Sequence, residues 1–97
     1  MSLQEAQKLA KQVVRDVLAT MLNNPDAQAP TPLSPLSDEY KKQIDVNVRL
    51  GLPREVLPPV DKPSAADVAG CATVGEVQDL YASGIAALPQ YKTGGPV

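Results

Sequence analysis

Histidine, tryptophan and phenylalanine are absent from the 97 residues, and cysteine occurs once, at Cys71. Without histidine the chain lacks the side chain most used for proton transfer near neutral pH and for binding transition metals. A single cysteine excludes an internal disulfide. With no histidine to accompany it, a zinc site or a Cys-His nucleophile pair has no basis. The sequence also lacks a P-loop, a paired-glycine phosphate cradle and a nucleophile elbow. These absences argue against an autonomous enzyme and leave no catalytic or metal-ligating residue to name.

Neither sign of charge dominates. Nine Lys and Arg against eleven Asp and Glu give a net charge of −2, with no basic stripe and no polyacidic run. That distribution argues against nucleic acid as a partner. No apolar run approaches the roughly 20 residues needed to span a bilayer, and the N-terminus shows no signal-peptide pattern, so the expectation is a cytoplasmic protein. The aromatic residues are Tyr40, Tyr81 and Tyr91 alone. Burial must therefore come from Val, Leu, Ile and Ala, which predicts a small core and a marginal stability.

What the chain does contain is proline, ten residues of it, between segments of helical periodicity. Ser2-Leu3-Gln4-Glu5 has capping-box spacing, and Leu3, Ala6, Ala10, Val13, Val14, Val17, Leu18 and Met21 recur at threes and fours. They predict an amphipathic helix over 3–22 with Lys8, Lys11, Gln12 and Arg15 on its solvated face. Residues 23–36 read as an extended connector through Pro25, Pro30, Pro32 and Pro35. Either it wraps the surface or it leaves the first helix separately mobile.

Ser37-Asp38-Glu39 opens a second helix, expected over 37–50, with an N-cap and two acids suited to a helix start. The alternation in 44–50 also fits a strand. Helix is preferred because Lys41, Lys42, Asp45 and Arg49 gather on one side and Tyr40, Ile44, Val46, Val48 and Leu50 on the other. Gly51, Leu52 and Pro53 then read as a helix stop. After a proline-rich loop over 51–63 come a short helix over 64–70 and a final helix over 73–88. The latter carries Val74, Val77, Leu80, Tyr81, Ile85 and Leu88 and is stopped by Pro89, with a frayed tail over 89–97. The whole reads as one domain, 1–97, of the all-α class: a small three- to four-helix bundle with long proline-rich loops. In it the stripe Val13, Val17, Met21 meets Val77, Tyr81, Ile85.

This order of helices resembles that of an acyl or peptidyl carrier protein. Ala69 to Tyr81, with Thr73-Val74-Gly75-Glu76 at its centre, is similar to the carrier stretch in which a Thr-Val-Gly-acid turn starts the last helix. Val56-Leu57-Pro58 resembles the apolar-proline segment after the second helix. The likeness spans residues 3–88, and its specific part is Thr73 to Tyr81. It implies a carrier-protein-like domain in a biosynthetic setting. Such a domain would tether an acyl or aminoacyl group through 4′-phosphopantetheine on Ser37, at the start of the second helix, whose N-terminus favours a phosphate. The second helix would be the docking surface, and the implied partners are a phosphopantetheinyl transferase and acyl-processing enzymes. The sequence reads Leu36-Ser37-Asp38 where carriers have Asp-Ser-Leu. The interval from Ser37 to Thr73 is longer than the family's, and Lys41, Lys42 and Arg49 dilute the acidic helix that carriers present. Ser37 also reads as a plain N-cap, and Ser34 is the reserve position.

A second likeness concerns Gln12 to Leu18, which resembles the encapsulation peptides that direct enzymes into bacterial microcompartments. It implies a non-catalytic adaptor or small subunit docking through the first helix to a larger assembly. The other reading of the same residues is that Val13, Val14, Val17 and Leu18 pack on the last helix. Cys71, among Ala69, Gly70 and Ala72, reads as a small buried residue. Tyr81 reads as core, and Tyr91 as a tail residue with no core to join.

Overall fold

The computed structural model describes residues 2–58 and 63–92, and among these the regular elements are helices, with no strand. The first, α1 (Leu3–Met21), starts on the capping box read from the sequence. Glu5 N–H donates to the Ser2 hydroxyl at 3.2 Å, and Ser2 N–H donates to the Glu5 carboxylate at 3.4 Å. Its other end closes on Asn23, held in the left-handed region at φ 53°. There Asn24 N–H donates to the Ala19 carbonyl and Asn23 N–H to the Thr20 carbonyl, at 2.8 and 3.1 Å. This is the paired closure of a Schellman turn, with asparagine in place of glycine.

Along α1, Ala6, Ala10, Val14 and Leu18 have no exposed surface. Opposite them lies α5 (Val74–Ala86), whose Val77, Tyr81 and Ile85 are equally buried. The Gln7 side-chain amide donates to the Ala82 carbonyl at 2.9 Å, and the Gln78 amide donates to the Lys11 carbonyl at 3.0 Å. Pairing 7 with 82 and 11 with 78 makes the two helices antiparallel. The expected α5 row is therefore the core row, but the α1 row is not Val13, Val17, Met21. Those three are half-buried, and Val13 and Met21 look towards the next helix. A Cβ at Gly51 would come within 2.9 Å of Val13 Cγ1, and the Asn47 amide reaches Met21 Sδ at 3.7 Å. Alanine at 6 and 10 explains the rotation, because small side chains let α5 approach more closely than a valine row would.

Residues 37–50, expected as one helix, form α2 (Asp38–Lys41) and α3 (Gln43–Gly51), which meet at Lys42. The backbone of Lys42 is itself helical, at φ −66° and ψ −17°, so the interruption is a single residue. Ile44 and Val48 are fully buried while Val46 and Leu50 are exposed. The core thus reads a four-residue period, and the apolar side expected to hold all of these residues is split in two. Gly51 is the last helical residue rather than a left-handed stop, and no glycine among the described residues has positive φ. Extended Leu52 before Pro53 ends the helix instead.

The short α4 (Ala65–Ala69) is capped by Ser64 and Asp67 through reciprocal 3.1 Å hydrogen bonds. It packs on α3. Pro89 does not stop the last helix, which ends at Ala86. It opens a one-turn α6 (Pro89–Lys92), at the first helical position, where a missing N–H costs nothing. Tyr91 then packs against the core, contrary to its expected place in a frayed tail. Of that tail, residues 93–97 lie outside the described residues, as do residues 59–62 of the preceding loop.

The connector 23–36 wraps the surface. Ala27 and Leu33 are fully buried and Leu36 nearly so. Arg15, expected on a solvated face, donates to the carbonyls of Pro25 and Ala27, both at 3.1 Å. Leu33 N–H donates to the Ala72 carbonyl at 2.8 Å, and Val74 and Gly75 N–H donate to those of Thr31 and Ala29, at 3.0 and 2.8 Å. Thr73-Val74-Gly75-Glu76 thereby acquires a structural role. Thr73 caps α5, Val74 enters the core, and Gly75 lets the connector close in, since a Cβ there would sit 3.0 Å from the Ala29 oxygen.

Candidate functional site

Ser37 lies at the end of the pinned connector, immediately after the buried Leu36. Leu36 N–H donates to the Leu33 carbonyl at 2.9 Å, which closes a turn and fixes the chain as it enters α2. Ser37 is extended, at φ −69° and ψ 160°, and its hydroxyl accepts the Tyr40 N–H at 3.2 Å. It is thus an N-cap with an exposed side chain. Asp38 and Glu39 stand exposed in the first turn, with Lys41 and Lys42 following them. The Ser37 Oγ is engaged by a backbone donor, and the chain holds no histidine to take its proton. Ser34, in the same connector, is also exposed.

A second cluster was not foreseen. The Tyr81 hydroxyl donates to Asp45, which also accepts Arg49 Nε at 2.9 Å, and Arg49 Nη2 donates to the Pro63 carbonyl at 2.8 Å. Burial, and then the hydrogen bond and charge of Asp45, push the Tyr81 phenol far above its ordinary value. The cluster locks α3 to α5 and to the end of the 51–63 loop. Asp45 and Arg49 were expected on the side of the second helix that carries Lys41 and Lys42. Their four-residue spacing signals the ion pair, but nothing local in the sequence brings Tyr81 to it.

Cys71 is half-buried, and its thiol donates to the Asp67 carbonyl at 3.7 Å. Burial raises its pKa, followed by the nearby Glu76 and Asp67 charges. That is the opposite of the environment that activates a thiol. Among the described residues no group of three or more Cys, Asp and Glu side chains could hold a metal ion. None of their helices is long and apolar enough to cross a membrane. The surface concavities are open grooves. One of about 470 Å³ runs between α3 and the residues after it, lined by Val46, Arg49, Leu50, Leu52, Arg54 and Leu57. Ser37 is not among its lining residues. Compared with known protein families, curated proteins and solved structures, this chain matches none.

Proposed function

We propose that the protein is a carrier-protein-like domain that bears 4′-phosphopantetheine on Ser37 and offers a tethered acyl or aminoacyl group to partner enzymes. The observation that supports this reading is the exposed Ser37 hydroxyl, set at a helix start between a buried anchor, Leu36, and an acidic first turn. In loading, the Ser37 oxygen would attack the pyrophosphate of coenzyme A. One P–O anhydride bond breaks as the Oγ–P bond forms, the nucleotide bisphosphate leaves, and the transferase takes the hydroxyl proton. The chain contributes position rather than chemistry. The arm's own thiol carries the cargo, so no catalytic residue is required of this protein.

The test is the intact mass after incubation with coenzyme A and a broad-specificity phosphopantetheinyl transferase. One added phosphopantetheinyl group is expected, and Ser37→Ala should abolish it while Ser34→Ala leaves it in place. An unchanged wild-type mass beside a loaded control carrier refutes the reading. Loading that survives Ser37→Ala refutes the choice of residue.

A further inference from the structure

We draw no further inference here: the strongest candidate, the apolar ledge that the exposed Val46 and Leu50 form at the lip of the groove beside α3, carries none, because nothing in the structure shows what covers it.

Discussion

Tyr81 combines a fully buried ring with a hydroxyl bound to a carboxylate, and the two parts respond to different substitutions. Tyr81→Phe keeps the packing and removes one hydrogen bond to a charged group, so chemical denaturation should report a loss of about 1.5–3 kcal/mol. Tyr81→Ala also empties the ring's volume and should cost about 3–5 kcal/mol. Because the folded state raises the phenol's pKa, its contribution is fully present below the ordinary tyrosine value of about 10 and is lost as pH rises through the folded value. The denaturation midpoint of the wild type should therefore fall in strongly alkaline solution, and the Phe variant should lack that component. Cys71 offers a second titration. Its raised pKa predicts that iodoacetamide alkylates it more slowly at pH 8 than it alkylates a free cysteine, and that unfolding in urea removes the difference. Equal rates before and after unfolding would contradict the half-buried placement of the thiol.

Among the elements, the connector departs furthest from its composition. Four prolines in fourteen residues suggest a segment with little to bury, yet Leu33 is as buried as any core side chain. Leu33→Ala should cost about 2–5 kcal/mol. Leu50→Ala, the same change on α3, should stay within about 0.5 kcal/mol because Leu50 is 81% exposed. Arg15→Ala frees the carbonyls of Pro25 and Ala27, so hydrogen exchange should quicken first at the Leu33, Val74 and Gly75 amides, which the connector either donates or protects. Four helix starts were legible because each depends on a cap within three residues: the Ser2, Ser37, Ser64 and Thr73 side chains all accept a hydrogen bond from the first turn, whereas α3 starts after Lys42 with no side-chain cap and was not foreseen as a separate element. The ends were less so. Gly51 and Pro89 looked like stops, but a helix end is decided by where the following chain must go, which local spacing does not record.

At the scale of the molecule, α1 is the centre of the core, with α5 on one flank and α3 on the other. An adaptor that lends α1 to another protein would have to expose Ala6, Ala10, Val14 and Leu18, none of which has accessible surface here. Deleting residues 1–22 should therefore leave 23–97 unfolded, as judged by loss of helical circular dichroism and of a thermal transition. A truncated protein that keeps both would restore the docking-helix reading. Val14→Asp and Val17→Asp refine the test. The first puts a charge in the fully buried row and should unfold the domain, while the second, at a half-buried position, should destabilise it less.

The sequence by itself determined that the regular elements among the described residues are helices, where α1 and α5 begin, which row of α5 faces inward and that Ser37 caps a helix. All of these rest on interactions within one or two turns, which spacing encodes directly. Tertiary structure alone decided which row of α1 meets α5, that Arg15 and Leu33 hold the connector down, that Tyr81 reaches Asp45, and that Val46 and Leu50 are left outside while Ile44 and Val48 go in. Each of those outcomes joins residues far apart in the chain or divides one apolar face between core and solvent. Periodicity shows that a helix has such a face, but only the packed neighbours determine how much of it they cover.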